Sequence, residues 1–418
     1  MKILSVHNTH QERGGEDVVF EQEGRMLARA GHNVVAYHRT NHEIGQLSIV
    51  GQLDLARRTI WASDSLAEFD KLLSSEKPDV VHIHNTFIVI SPSIYRACRK
   101  RGIPVVQTLH NFRFLCPPSN LFRDGKVCEE CIDRSLLRAI EHKCYRGSTS
   151  ATAVVVAMLG FHRIIRTLER SVDRYIALTE FSRKKFISAG FPADRISVKP
   201  HFLESDPGVR QQPGDYALYI GRFSPDKGVR TLIDAWSKIP KEFKLRIVGD
   251  GLERPELETE VRRRQLDNVK FRGFLSREEA IAALKGARFL VMPSLWYETF
   301  GMVIIEAFAC GVPVICSRLG AMAELVQDGI NGLHFAPGDS ADLARKMIWS
   351  WSNRIALEKM GCNGRQSFEN HYTCDKNYGM LMEIYERALR SRGHSRSLPI
   401  RQEAVQLCET TDTVRVDR

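Results

Sequence analysis

The chain has 418 residues, of which 43% are hydrophobic and 26% charged, and it carries a formal net charge of +10. That length exceeds one ordinary core and calls for two soluble globular domains. The longest apolar run, 151–161, is too short to span a bilayer, and basic residues spread along the chain without a recognition motif argue against a nucleic-acid partner.

Met1-Lys2-Ile3-Leu4-Ser5-Val6 already reads as a strand and not as a signal peptide, so a cytoplasmic location is expected. Gly14-Gly15 follows that strand and precedes a helical stretch over 16–30. Without a Cβ at these positions the backbone can approach a diphosphate closely, although a plain turn explains the pair as well. Strand-like runs at Asn33–Tyr37, Val80–His84, Val105–Thr108, Arg174–Leu178 and Ile196–Lys199 alternate with helical stretches such as 91–101. The alternation predicts a mostly parallel sheet with helices on both faces, filling a first domain over 1–203. His82 and His84 end one strand and either line a pocket or pack in the core, and His110 stands just past the next. An irregular insert over about 112–146 holds Cys116, Cys128, Cys131 and Cys144, and the spacing of Cys128 and Cys131 suits a metal pair. The flanking cysteines can complete a structural zinc site of four thiolates, with buried free thiols as the other reading. Arg134, Arg138, Lys143, Arg146, Arg163, Arg166, Arg170 and Arg174 surround the run 151–161. This is the pattern of a segment lying on an anionic membrane surface, or of a core helix with a solvated flank.

Residues 204–214 (ESDPGVRQQPG) lack apolar periodicity and read as a linker. A second domain over 215–372 restarts at the strand Tyr216–Ile220, followed by Gly221-Arg222-Phe223-Ser224-Pro225-Asp226-Lys227-Gly228 and a helix from Val229 to Lys238. Strand, basic glycine-bounded loop and helix suit a diphosphate, with Arg222 offering a planar fork and Lys227 a mobile charge. Further strands are expected at Lys244–Val248, Val269–Phe271, Phe289–Met292 and Pro313–Cys316, and Ser276 with Glu279 predicts a capping box for a helix ending near Gly286. In Ser294–Val314 (SLWYETFGMVIIEAFACGVPV), Glu298 and Glu306 flank a strand-to-helix junction around Gly301. Backbone amides of Phe300, Gly301 and Met302 would face phosphate there, Glu298 would accept from sugar hydroxyls and Glu306 from a ribose diol. A last helix over 373–392 carries Tyr378, Leu381, Tyr385 and Leu389 on one face, and 393–418 reads as a disordered tail. Two doubly wound domains joined by a linker leave a cleft at the carboxyl ends of their strands.

The Gly-Arg…Lys-Gly loop at 221–228, the Glu298…Glu306 segment, the string GAMAELVQDGINGLHFAPGD at 320–339 and Gly14-Gly15 together resemble a family 4 retaining glycosyltransferase (glycosyl transferases group 1) over roughly residues 1–390. The resemblance implies the α/β GT-B fold, two Rossmann-like domains facing a central cleft, with the last helix returning to the first domain. It implies transfer of a hexose from a UDP- or GDP-sugar to a glycan or lipid-linked acceptor, with the leaving phosphate accepting the acceptor's proton on the same face. Donor binding falls to Gly14, Gly15, Gly221, Arg222, Lys227, Glu298, Phe300, Gly301, Met302 and Glu306, and catalysis to His110, Glu298, Arg222 and Lys227. No Asp-x-Asp occurs, so the cations and helix amides are expected to carry the leaving charge without a metal or other cofactor. Polysaccharide or cell-envelope synthesis at the inner face of a membrane fits this reading. A nucleotide-sugar epimerase, a phosphorylase or a non-catalytic nucleotide-sugar-binding protein are the alternatives, because fold alone does not fix function.

Overall fold

A computed structural model of the protein describes residues 1–11, 14–44 and 48–393, the side chain of Ile49 apart. Of the tail expected over 393–418, all but Gly393 lies outside these residues.

The first half forms β1 (Lys2–Thr9), β2 (Asn33–Thr40), β3 (Val80–Ile83), β4 (Val105–Leu109), β5 (Phe122–Arg123), β6 (Lys126–Val127), β7 (Arg174–Ala177) and β8 (Ile196–Val198). Six of them make a parallel sheet in the order β2-β1-β3-β4-β7-β8, and β5 and β6 are a separate antiparallel hairpin in the insert. The second half forms β9 (Tyr216–Ile220), β10 (Lys244–Val248), β11 (Val269–Phe271), β12 (Ala287–Met292), β13 (Val314–Ser317) and β14 (Gly332–Phe335), in the parallel order β11-β10-β9-β12-β13-β14. These strands are apolar on both sides because helices cover both faces: β3 and β4 are buried throughout, as are Ala217, Leu218, Phe289 and Leu290 at the β9–β12 pair. Burial of each such side chain contributes about 1.5–3 kcal/mol. The chain reverses its direction of sheet building between β1 and β3 in one sheet and between β9 and β12 in the other. A doubly wound sheet presents its ligand crevice at such a point.

The segment 204–214 has no regular structure, yet it is pinned to the second domain: Asp206 pairs with Arg365 and Arg210 donates its backbone N–H to the Cys310 carbonyl at 3.0 Å. The last helix, Cys374–Ser391, packs back on the first sheet, burying Leu381, Ile384, Tyr385 and Ala388 with Ile3, Val80, Val106 and Ile176, and Leu389 is buried as well. Arg392 at its end holds Asp173 at 2.7 Å.

Contacts between the domains gather at a few places, among them the Phe181 and Tyr297 rings at 4.7 Å and the Leu203 N–H donating to the Tyr372 carbonyl at 3.1 Å. Glu324 accepts from the backbone N–H groups of Glu180 and Phe181 at 2.8 and 2.7 Å, capping the helix Glu180–Ser188. Tyr297 donates to Glu129 of the insert at 2.8 Å. The rings of His201 and Phe300 meet edge to face at 5.1 Å.

The apolar run 151–161 lies in the helix Thr149–Ile164, which buries Val155, Val156, Met158 and Leu159 against Phe87, Ile88, Leu136 and Ala139, so its larger part is core. Its end is different, because Phe161 and Ile164 are exposed. The capping box at Ser276 and Glu279 is present on the helix Arg277–Lys285. Helices Ile49–Ile60, Ser63–Glu76 and Gly320–Leu325 and strand β14 carry no counterpart in the sequence reading.

Candidate active site

β9 and β12 are neighbours, so the loops leaving their carboxyl ends emerge side by side. The first carries Gly221 to Gly228 and the second Ser294 to Gly301, and the Leu295 N–H joins them by donating to the Asp226 carbonyl at 2.8 Å. Lys227 Nζ donates to Glu298 Oε1 at 2.6 Å and lies 4.9 Å from the centre of the Trp296 ring, and Ser294 Oγ donates to the same carboxylate oxygen at 2.9 Å. Glu298 is buried, which alone would push its carboxyl upward, but the Lys227 charge and these hydrogen bonds hold it below the usual range. Lys227 and Glu298 were expected to grip separate parts of a ligand. In the ligand-free fold they grip each other.

Arg222 is exposed at the mouth of the loop, its carbonyl fixed by the Tyr219 hydroxyl at 2.8 Å. A Cβ on Gly221 would meet that hydroxyl oxygen at 2.7 Å, so glycine keeps this turn. Gly301 caps the helix Met302–Ala309 with φ of 98°, a left-handed conformation that glycine adopts freely. The backbone N–H groups of Phe300, Gly301 and Met302 have no acceptor among the described residues, leaving a cluster of donors at a helix start. Glu306, on that helix, is half-buried, and burial raises its carboxyl against the pull of Arg277.

On the facing domain Gly14 precedes the helix Gly15–Arg29. Among the described residues a Cβ on Gly15 would touch nothing, and one on Gly14 only Asp17 Oδ2 at 3.8 Å, so their packing does not demand glycine. His110, 6% exposed, follows β4. Its Nε2 lies 2.9 Å from His84 Nδ1, its Nδ1 has no partner among the described residues, and its ring stacks on His201 at 5.3 Å. His201 in turn meets Phe300, so a ring column runs from the first domain to the start of the helix Met302–Ala309.

Beneath this column sits a buried ion pair. Lys199 Nζ donates to Glu23 Oε2 at 2.9 Å, and Glu23 Oε1 lies 2.9 Å from His82 Nδ1 and 3.4 Å from His84 Nε2. Burial works against the Glu23 charge, but Lys199 and His82 keep the carboxyl well below its ordinary range. Burial also pushes the imidazoles of His84 and His201 down to about 3. His82 is not a pocket residue: it is fully buried, with Tyr385 Oη at 2.8 Å and Thr108 Oγ1 at 2.7 Å from its two nitrogens. Sequence reasoning missed Glu23, Lys199 and His201. His201 had one usable signal, its place just past β8 at the carboxyl edge of the sheet.

Among the described residues, one trio of metal-ligating types, Glu23, His82 and His84, brings its ligand atoms within 4.8 Å of one another. The Lys199 ammonium already neutralises that carboxylate. Cys116 is buried and Cys128, Cys131 and Cys144 half-buried, all as free thiols, and no three of their sulfurs reach that mutual distance. Burial raises the Cys116 thiol to about 12 and the Cys131 thiol to about 11. As they stand, the four side chains do not form a closed tetrahedral set. The insert reaches the cleft by another route, because Glu129 accepts from Lys185 at 2.6 Å and from Tyr297, the residue before Glu298.

Comparison with known proteins follows the same division of the chain. Residues 14–201 match the profile of the glycosyl transferase 4-like domain and residues 204–367 that of glycosyl transferases group 1. An uncharacterized glycosyltransferase of Methanocaldococcus jannaschii is 36% identical over 175 residues, 41% of this chain and 49% of that one, so the chain spans about half of its length. The 2-deoxystreptamine glucosyltransferase of Streptomyces kanamyceticus is 25% identical over 79% of this chain and 82% of its own, and the O-antigen chain mannosyltransferase C of Escherichia coli 31% identical over 53% and 61%. The solved structure of Anabaena HepE in complex with UDP superposes with a TM-score of 0.68 at 20% identity, covering 92% of this chain and all of that one.

Proposed function

Since the chain belongs to the glycosyl transferases of group 1 and has the GT-B fold, we propose that it moves a hexose from a UDP- or GDP-sugar to a glycan or lipid-linked acceptor, with retention and without a catalytic metal. The observation that carries this reading is the Lys227–Glu298 pair set beside the free amides of Phe300, Gly301 and Met302. A cation, a buried carboxylate and a helix start with free amides share one crevice, a combination that suits a sugar hydroxyl and a phosphate and supports the reading. Solved relatives of the same fold described as complexes with UDP and with UDP-glucose support a uridine donor.

In this reading the diphosphate lies between Arg222, Lys227 and the amides, with the backbone of Gly14 and Gly15 closing from the other side, and Glu306 accepts from the ribose diol. The acceptor hydroxyl oxygen forms the new bond to the anomeric carbon as the old C–O bond breaks. The bonding pair of the old bond leaves with the phosphate, and the acceptor's proton goes to that phosphate on the same face. Arg222, Lys227 and the amides stabilise the growing charge. His110 Nδ1 faces the transferred sugar. The acceptor side is the first domain, and its basic flank faces an anionic membrane surface. Among the described residues no helix is long and apolar enough to cross a membrane.

The test is sugar transfer in EDTA-treated buffer with UDP- and GDP-hexoses, alongside thermal shift with the free nucleotides. A donor that raises the melting temperature and is turned over with retention supports the reading. Binding without transfer to any acceptor or to water points to a non-catalytic binding protein, and C2 inversion of the sugar to an epimerase.

A further inference from the structure

Where the helix Thr149–Ile164 ends, His162 turns inward, its Nε2 2.8 Å from the Ile60 carbonyl and its Nδ1 2.8 Å from Thr167 Oγ1. The neighbouring side chains are thereby fixed outward. Ile164 is 81% exposed, and Phe161 and Ile165 are exposed beside it. Next to this apolar tip lies a recess of about 390 Å³ walled by Trp61, Phe161 and Ile165, with Arg96, Arg99 and Arg170 around it. Arg96 and Arg99 are three residues apart, on one face of the helix Tyr95–Arg101, and Arg170 comes from the helix Thr167–Ser171 packed against it. None of the three arginines makes an ion pair among the described residues. Among the described residues no carboxylate lines the recess.

Three unpaired guanidinium groups at one recess repel one another, an arrangement that an oxyanion relieves. The bordering apolar tip says where that oxyanion resides. Exposed isoleucine and phenylalanine gain by entering hydrocarbon and gain nothing from a dissolved ion. We propose that this recess binds the headgroup phosphate of an anionic lipid while Ile164, Phe161 and Ile165 enter the outer part of the bilayer, docking the acceptor-binding domain on the membrane. The inference rests on the membrane-facing reading of the acceptor side and gives it a site.

The experiment is co-sedimentation of the full chain with phosphatidylcholine vesicles with and without phosphatidylglycerol. Wild type should partition onto the phosphatidylglycerol vesicles only. The triple variant Arg96→Gln/Arg99→Gln/Arg170→Gln should lose roughly a hundredfold in partition, and Ile164→Glu roughly tenfold or more. A control triple with the same charge change on the other domain, Lys241→Gln/Lys270→Gln/Lys359→Gln, should lose less than about a tenth as much, since those exposed groups lie away from the recess. Equal losses in the two triples would reduce the effect to net charge and overturn the site. Release of the protein by inorganic phosphate, but not by chloride at equal ionic strength, would make it a free-anion site and also overturn the lipid assignment. The nucleotide-dependent rise in melting temperature, measured on every variant, reports folding and donor binding separately, so loss of vesicle binding and loss of the glycosyltransferase reading are distinguishable.

Discussion

His84 hands its Nδ1 to His110 Nε2 at 2.9 Å while its own Nε2 faces the Glu23 carboxylate at 3.4 Å. With Glu23 ionised beside Lys199, a lone pair on His84 Nε2 would point at negative charge, so the proton sits there and His84 Nδ1 must accept. His110 then donates from Nε2 and keeps a bare lone pair on Nδ1, the nitrogen without a partner among the described residues. In the proposed reading, this lone pair is the acceptor for a sugar hydroxyl. Nitrogen-15 spectra of the ligand-free enzyme should show His110 protonated at Nε2, with the preference weakened in Glu23→Gln; a proton on Nδ1 would break the relay.

For His110→Ala the expected signature is selective. Affinity for the free nucleoside diphosphate should stay near normal, because in the proposed reading that grip comes from Arg222, Lys227 and Glu306, while single-turnover transfer falls by roughly 10²–10⁴-fold. Near-normal transfer below the variant's melting temperature would leave His110 as a packing residue.

Replacing Arg222 or Lys227 with Ala should cut turnover by roughly a hundredfold. The two differ in stability. Lys227→Ala strands the buried Glu298 carboxylate and should cost about 3–5 kcal/mol, whereas Lys227→Ala/Glu298→Gln should recover most of the stability and none of the turnover. Urea midpoints and initial rates on the same preparations check both halves. Glu306→Ala should weaken donor binding by about 1–3 kcal/mol, read by calorimetry.

His84 and His201 are held neutral by burial, each near 3 against 6.5 for a free imidazole. Because the folded values are depressed, the unfolded chain binds the extra protons. Their contribution to stability is complete above about pH 6.5 and is lost as the pH falls toward 3, at about 1.4 kcal/mol per pH unit for each histidine. The slope of unfolding free energy against pH between roughly 6 and 4 should drop by about one proton in His201→Phe.

We propose structural zinc on Cys116, Cys128, Cys131 and Cys144, and metal analysis of protein purified without added metal decides it. About one zinc per chain, lost in Cys128→Ser/Cys131→Ser, requires the sulfurs to swing together from their present positions. Absent metal with four titratable thiols leaves the insert held by pairs such as Arg123–Glu130 and Glu129–Lys185.

The strands were legible because buried parallel strands are short uninterrupted apolar runs, as at Val105–Leu109 and Tyr216–Ile220. β14 was not, since Gly-Leu-His-Phe at 332–335 is brief and mixed, and the glycine is there because a Cβ would meet the Val314 carbonyl oxygen at 2.2 Å. The two loops at the ends of β9 and β12 announced themselves through glycines and charges at strand ends. What lies beneath His110 did not. Glu23 sits on a helix that reads as an ordinary amphipathic surface segment, and only the return of the last helix, with Asn377 on Lys199 and Tyr385 on His82, seals that carboxylate inside.

The bridges from Glu324 to the amides of Glu180 and Phe181, and from Tyr297 to Glu129, tie together halves that must part for product to leave. Each is a hydrogen bond to a carboxylate, worth about 1.5–3 kcal/mol. In the proposed cycle, opening would then compete with bond-making as the slow step. The carboxylates act as a timer: added salt, or Glu324→Gln, should hasten release and shrink any pre-steady-state burst while leaving the rate of the first turnover unchanged.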